Sequence, residues 1–161
     1  MRTWRLGVAV VVVLATTWWL RADVIDSVGV SSGSMAPTVC RGDRLLILRA
    51  GASDAERGEL VTFHDPVDDE PTLKRVVAVE GQVVQIKDGL LYVDGQQVLE
   101  EYVDQASIDG TYYRQVIVGK GLVFVLGDER ERSVDSRDYG PISRSSIDGR
   151  VLTRLWSGCP D

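Results

Sequence analysis

The chain has 161 residues and 44% of them are hydrophobic, which is enough to bury one substantial core and excludes a disordered chain. Beyond position 21 lie 15 basic and 24 acidic residues, a net charge of −9 that excludes the basic surface expected of a nucleic-acid-binding protein. One histidine and two cysteines cannot form a zinc site of ordinary spacing, so we expect no bound metal.

The N-terminal segment, residues 6–21, is predicted to be a transmembrane signal-anchor. Residues 6–20 form an uncharged, mostly apolar run between two arginines, and as a helix this run would rise about 22 Å. The hydrocarbon core of a bilayer is about 30 Å thick, and the flanking arginines and the Trp18-Trp19 pair can span the difference at the interface. A cleavable signal peptide remains the alternative, although no small-x-small cleavage site follows the apolar run.

The charges around this segment predict its orientation. Arg2 and Arg5 precede the apolar run and acidic residues follow it, so the positive-inside rule places residues 1–5 in the cytoplasm. Residues 22–161 then form an extracytoplasmic domain. We therefore expect a single-pass protein of the cell membrane that has the lipid bilayer as one of its partners.

The body of the chain is predicted to be mainly β, built from antiparallel sheets. Short runs rich in Val, Ile and Leu alternate with turn signals, and no segment after the anchor shows a sustained helical period. Asp94-Gly95 is typical of a two-residue hairpin turn with positive φ. The predicted strands are residues 44–48, 60–64, 73–80, 83–87, 90–93, 114–118, 122–126 and 150–156.

Cys40 and Cys159 are 119 positions apart and could pair only if the fold brings their sulfur atoms together. A disulfide would fit a domain in an oxidising compartment. The sequence leaves this pairing open.

The stretch SSGSMAPTVCRGD, residues 31–43, places a glycine-flanked serine shortly after the anchor. A serine hydroxyl is a weak nucleophile and needs a partner that accepts its proton. His64 stands alone without a recognisable triad, and the motifs GxSxG and SxxK are absent. Lys74 lies in the apolar run PTLKRVVAV, where burial would lower its pKa toward that of a general base.

A third segment, GDERERSVDSRDYGPI at residues 127–142, completes a pattern. The serine of SGSM, the lysine of KRVVAVEG and this final block follow one another in an order that resembles the type I signal peptidases, family S26. The resemblance covers nearly the whole chain. It implies a β-rich catalytic domain behind one N-terminal transmembrane helix, no cofactor, and a serine endopeptidase that removes signal peptides from exported preproteins.

The resemblance also assigns catalytic roles. Ser34 matches the nucleophile, and Lys74 matches its general base. Ser133 matches the hydroxyl that orients the lysine. Ser32 matches the residue whose side chain forms the oxyanion hole together with the backbone N–H of Ser34.

Asp135 and Arg137 match an ion pair that supports the site. One position departs from the family pattern: Glu129 stands where relatives tend to have asparagine, and a carboxylate near Lys74 would raise the pKa of that lysine. Two other functions stay open. One is a processing peptidase dedicated to one secreted peptide or to a pilin-type substrate, and the other is a tethered β module that binds a partner and has lost its activity.

Overall fold

The computed structural model describes residues 24–104 and 110–159, and within these ranges the chain is almost entirely β. It contains one short α-helix, α1 (Ser136–Tyr139), and three single-turn 3-10 helices. The strands are β1 (Ile25–Gly29), β2 (Arg44–Leu48), β3 (Leu60–His64), β4 (Pro71–Val79), β5 (Val83–Lys87), β6 (Leu90–Val93), β7 (Gln96–Gln97), β8 (Tyr113–Ile117), β9 (Leu122–Leu126), β10 (Ile142–Ser143) and β11 (Ile147–Trp156).

The strands form two antiparallel sheets. The larger sheet has seven strands in the order β1-β2-β11-β3-β4-β9-β10, and the smaller has four in the order β7-β6-β5-β8. The chain passes from one sheet to the other where β4 ends and β5 begins. Strands β4 and β9 lie next to each other near the centre of the molecule, with five and four consecutive buried residues respectively.

Both faces of the β4–β9 pair are covered by apolar side chains, which explains why these strands read as continuous apolar runs. One face packs with β3, and Phe63 and Val125 lie in that cluster. The other face packs against the small sheet, and Phe124 lies there against Ile86 and Leu91. A third cluster, centred on Met35, lies beneath the loop that follows β1. Side chains of β4 belong to the first two clusters and Leu45 of β2 belongs to the third, so the core fixes the positions of both strands.

The predicted strands are largely confirmed. Residues 44–48, 60–64, 83–87, 90–93 and 122–126 are strands with the predicted bounds, and the other three differ by one to three residues at their ends. Asp94 and Gly95 both have positive φ, 52° and 79°, as the predicted hairpin turn requires. The sequence did not predict β1, β7 or β10.

The predicted anchor lies outside the described residues. Within residues 24–104 and 110–159, no helix is long and apolar enough to span a bilayer. The two cysteines, whose pairing the sequence left open, form a disulfide with Cα atoms 5.1 Å apart.

Candidate active site

Ser34 lies in a loop, residues 30–43, that we call the nucleophile loop. Its ends are held together because Val30 exchanges backbone hydrogen bonds with Asp43 and Gly42, at 2.9 and 2.8 Å. Met35 follows Ser34 and is 1% exposed, so its side chain anchors the middle of the loop in the core. These contacts fix the backbone of Ser34 while leaving its side chain partly accessible.

The hydroxyl of Ser32 lies beside that of Ser34. Their oxygen atoms are 3.3 Å apart, within hydrogen-bond distance, and Ser32 is exposed. The two side chains therefore point into the same space. A group that binds at Ser34 would meet a second hydroxyl donor there.

Lys74 lies on β4 and is only 3% exposed. Its neighbour Arg75 pairs with Leu126 of β9. In an antiparallel ladder the next residues on the two strands are Lys74 and Gly127, so Lys74 lies beside the point where β9 ends. The strand register thus places the lysine next to the segment that begins GDERERSVDSR.

Gly127 is the point at which Ser34 and Ser133 come together. A β-carbon at this position would collide with the side chain of Ser133 and would lie 2.7 Å from the carbonyl oxygen of Ser34. The Ser133 hydroxyl oxygen is buried and makes no hydrogen bond to the described residues. The structure therefore brings Ser34, Ser133 and, through the ladder, Lys74 to one place.

Burial lowers the pKa of Lys74 from its ordinary value of 10.5. The carboxylates of Asp135, Asp65 and Asp128 oppose this shift, and the guanidinium of Arg137 adds to it. The desolvation of the amine has the largest effect, so the neutral form is favoured relative to a lysine in water. A neutral amine is what a general base must be.

Asp135 and Arg137 form a buried pair behind this point. The guanidinium donates to both carboxylate oxygens, at 2.9 and 3.0 Å, and the Asp135 side chain is fully buried. Asp135 also accepts a 3.0 Å hydrogen bond from the backbone N–H of Gly127 and caps α1 with a capping box. The pair thus holds Gly127 in place.

Glu129, the position that departs from the family pattern, lies in the segment that follows β9. The largest electrostatic effects on the pKa of Lys74 come from Asp135, Asp65, Arg137 and Asp128, and Glu129 is not among them. Its backbone N–H instead donates a 3.1 Å hydrogen bond to the carbonyl of Ser34. Glu129 therefore contacts the nucleophile loop through its main chain, which an asparagine would do equally well.

The single histidine lies away from this cluster. His64 ends β3, is about half exposed, and has its Nδ1 atom 3.0 Å from a carboxylate oxygen of Asp148. This pair resembles part of a triad, but it lines a groove whose lining residues include neither Ser34 nor Lys74.

The groove begins beside Ser31 and Ser32 and has a volume of about 480 Å³. Its floor is apolar, and Leu45, Phe63 and Leu73 contribute to it. One wall is the backbone of residues 28–30, which belongs to an edge strand of the large sheet, and the other is the start of β4. An extended peptide could lie between these two strands, with one end beside Ser31 and Ser32.

Comparisons with known proteins identify the family of this chain. The family model described as "Signal peptidase, peptidase S26" matches residues 3–156. The chain belongs to the type I signal peptidases. It is 32% identical to a probable signal peptidase I-2 of Synechocystis, over 96% of this chain and 74% of that protein.

Two further relatives support the assignment. The signal peptidase IB of Staphylococcus aureus strain COL is 32% identical, over 83% of this chain and 78% of that protein. A solved signal peptidase I from Enterococcus faecalis V583 is 29% identical, with a TM-score of 0.54 over 62% of this chain and 97% of that chain. The predicted family and the predicted mainly β fold are confirmed, and the protein is a serine endopeptidase.

The structure of this signal peptidase also shows partners that the sequence did not reveal. Arg75 donates to both carboxylate oxygens of Asp128, at 2.9 and 2.6 Å, and stacks on the ring of Tyr102 with its Cζ atom 3.8 Å from the ring centre. A second buried pair, Arg130 and Glu100, has a nitrogen–oxygen distance of 2.6 Å. In the sequence, the one indication of the contact between Arg75 and Asp128 was that both residues lie within the family motifs.

We predict that Gly127→Ala removes most of the peptidase activity. The added methyl group must displace Ser133 or the Ser34 backbone, and misplacement of a reacting group by about 1 Å can reduce the rate about 100-fold. Steady-state cleavage of a model peptide should show the loss in kcat, while circular dichroism shows an unchanged fold. Gly119→Ala is the matched control, because its β-carbon would meet only the mobile end of Leu122. Full activity in Gly127→Ala would show that this close approach has no part in catalysis.

We predict that Lys74→Met stabilises the protein at neutral pH while abolishing activity. In the unfolded chain Lys74 is protonated below pH 10.5, its ordinary pKa, whereas the folded site disfavours the charged form. The lysine therefore lowers the free energy of unfolding at pH values below 10.5. Removing the amine should raise the free energy of unfolding by roughly 0.5–2 kcal/mol.

Denaturant unfolding at several pH values measures this difference. The gap between wild type and Lys74→Met should narrow as the pH rises toward 10.5, because the unfolded lysine then loses its proton as well. Lys120→Met changes an exposed lysine and should show no such trend. A Lys74→Met protein that is less stable at every pH would contradict the account of Lys74.

Proposed function

We propose that this protein removes N-terminal signal peptides from exported preproteins, with Ser34 as nucleophile and Lys74 as general base. The observation that carries the proposal is the position of Lys74, which is buried on β4 beside Gly127, where the backbone of Ser34 and the hydroxyl of Ser133 converge. Membership of the signal peptidase family supplies the reaction class.

Acylation uses both residues. The neutral amine of Lys74 takes the hydroxyl proton as Ser34 Oγ attacks the carbonyl carbon of the scissile amide. The resulting ammonium then gives this proton to the leaving amine nitrogen, the C–N bond breaks, and the mature protein departs. Lys74 next removes a proton from the water that attacks the ester on Ser34. The bond between the acyl carbon and Ser34 Oγ then breaks, Oγ takes the proton back from Lys74, and the signal peptide leaves with a new carboxylate.

Ser32 and the backbone N–H of Ser34 are proposed to form the oxyanion hole. The Ser32 oxygen is 3.3 Å from Ser34 Oγ, so its hydroxyl can donate to an oxygen bound next to the nucleophile. Losing one such donor typically reduces the rate by about 100-fold or more. Ser133 is proposed to orient Lys74, which would give its buried hydroxyl a partner once the amine faces Ser34.

The groove supports a peptide substrate in extended form. Its lining includes Ser32 together with apolar side chains such as Leu45 and Leu73, so it suits the apolar side chains of an Ala-x-Ala motif ahead of the scissile bond. Among residues 24–104 and 110–159, strand β1 has a partner on one side only, which leaves backbone groups for such a peptide. The substrate is therefore expected to add a strand to the sheet.

The site is proposed to lie at the outer surface of the cell membrane. The segment predicted as an anchor ends at residue 21, thirteen positions before Ser34, so it is close to the nucleophile loop in the chain. The disulfide between Cys40 and Cys159 suits an oxidising, extracytoplasmic compartment. The N-terminus would then be cytoplasmic and residues 22–161 external.

Cleavage of a labelled preprotein by the full-length protein in detergent micelles tests this function. Ser34→Ala and Lys74→Ala should each reduce cleavage at the signal-peptide junction by at least about 1,000-fold, since nucleophile and base act as a unit. Ser145→Ala and Lys87→Ala are matched controls on the surface, and both should cleave at the wild-type rate.

The same assay separates the alternatives. A general signal peptidase should cut several unrelated preproteins after small-x-small motifs, whereas a dedicated processing peptidase should cut one substrate and leave the others intact. A binding module without activity would cut none. Unchanged cleavage in Lys74→Ala would show that another group is the base.

A further inference from the structure

We propose that residues 154–159, which we call the C-terminal clasp, position the nucleophile loop, and that the Cys40–Cys159 disulfide makes peptidase activity depend on the redox state of the compartment. This inference rests on the proposed role of Ser34. It concerns how the loop is held rather than which groups react.

The clasp is joined to the nucleophile loop covalently. Cys159 bonds to Cys40, six residues after Ser34 in the same loop. Both cysteines are only partly buried, so a reductant can reach the bond. They are the only cysteines of the chain, and this disulfide is therefore its only thiol-sensitive element.

Asp43 joins the clasp to the loop a second time. Its side chain is fully buried and accepts hydrogen bonds from the backbone N–H groups of Cys40 and Gly158, at 3.1 and 2.5 Å. Arg154 completes the cluster with its Nε atom 3.2 Å from the same carboxylate. A buried carboxylate needs such partners, so the clasp satisfies a charge at the base of the loop.

Close packing adds a third connection. A β-carbon at Gly158 would lie 2.6 Å from the carbonyl oxygen of Arg41 and 2.7 Å from the carbonyl carbon of Gly42. The clasp backbone is thus in direct contact with the backbone of the loop. Movement of one segment requires movement of the other.

Thr38 links the clasp to the strand that carries the base. Arg154 donates to the carbonyl oxygen of Thr38, and the Thr38 hydroxyl accepts a 3.3 Å hydrogen bond from Arg75. Arg75 is adjacent to Lys74 on β4. Through Thr38, the clasp therefore connects the segment that follows Ser34 with Arg75, the neighbour of the proposed base.

These contacts assign a positioning role to Arg154 and to the disulfide. The proposed reaction needs the Ser34 hydroxyl and its backbone N–H to be fixed within a fraction of an ångström, so loosening the loop should reduce kcat more than it weakens substrate binding. The two sides of the groove that would bind the peptide come from residues 28–30 and the start of β4, which take no part in the clasp contacts above. Only its floor adjoins the clasp, because Leu45 pairs with Arg154 between β2 and β11. KM should therefore change much less than kcat.

The experiment compares the full-length protein in micelles with and without dithiothreitol. The reagent supplies two electrons and two protons, so Cys40 and Cys159 become two thiols and the dithiol closes into its own disulfide. We expect kcat for a model peptide to fall about ten-fold and KM to stay within two-fold. The Cys40→Ser, Cys159→Ser double variant should have the low kcat with or without the reagent.

Arg154→Gln tests the clasp without altering the disulfide. It should also lower kcat at constant KM, whereas Arg114→Gln, an exposed arginine on β8, should not. Circular dichroism reports the folded fraction in each sample. A kcat that is unchanged within two-fold on reduction, or that falls only in proportion to the folded fraction, would overturn the proposal.

Hydrogen exchange separates this inference from the proposed function. The amides of Val39, Gly42 and Asp43 are hydrogen-bonded within the loop, and reduction should speed their exchange without affecting β9. This readout needs no activity. If the wild-type protein cleaves no peptide, the proposed function fails, but hydrogen exchange still tests whether the clasp fixes the loop. Unchanged exchange on reduction would overturn the clasp proposal and leave the proposed function standing.

Discussion

The burial of one lysine amine is the constraint on which the rest of the site depends. Lys74 begins a run of five buried residues on β4, because this strand is packed on both of its faces. Water cannot solvate an ammonium group there, and this lowers the pKa of the amine. The same packing that forms the core thus prepares Lys74 for its proposed role as base, and the expected cost is a lower free energy of unfolding.

Charged groups around Lys74 could have reversed this effect. Asp128 and Asp135 both favour the ammonium form, and both are buried. Each is matched with an arginine, Arg75 or Arg137, in a two-point contact. Because these carboxylates already have cationic partners, their attraction for the lysine is partly neutralised and desolvation has the larger effect. The arginines therefore help to keep the pKa of Lys74 lowered, as its proposed role as base requires.

Much of this molecule could be predicted from its sequence, and the limits have physical causes. Strands such as β5 and β9 are apolar runs bounded by turns, so local pattern is enough. Strand β1, IDSVG, has no apolar run and exists because it pairs with β2, which no local signal reports. The two-residue strand β10 likewise depends on its pairing with β9.

The site shows the same division. Ser34 and Lys74 were identified because several motifs occur in one order, whereas neither residue stands out alone. The role of Gly127 follows from the pairing of β4 with β9, and the contact between Arg75 and Asp128 joins residues 53 positions apart. The two cysteines are 119 positions apart, so their pairing became clear only from the fold. Contacts between residues far apart in the chain are what the sequence could not provide.

The most direct test of the central claim is the titration of Lys74 itself. The chain has three lysines, Lys74, Lys87 and Lys120, so NMR of protein with isotope-labelled lysine gives three signals, and the Lys74→Met variant identifies the one of interest. The account predicts that this signal titrates below 10.5, and that its midpoint coincides with the pH at which kcat is half-maximal. A Lys74 signal that titrates at or above 10.5, or an activity midpoint unrelated to Lys74, would contradict the account.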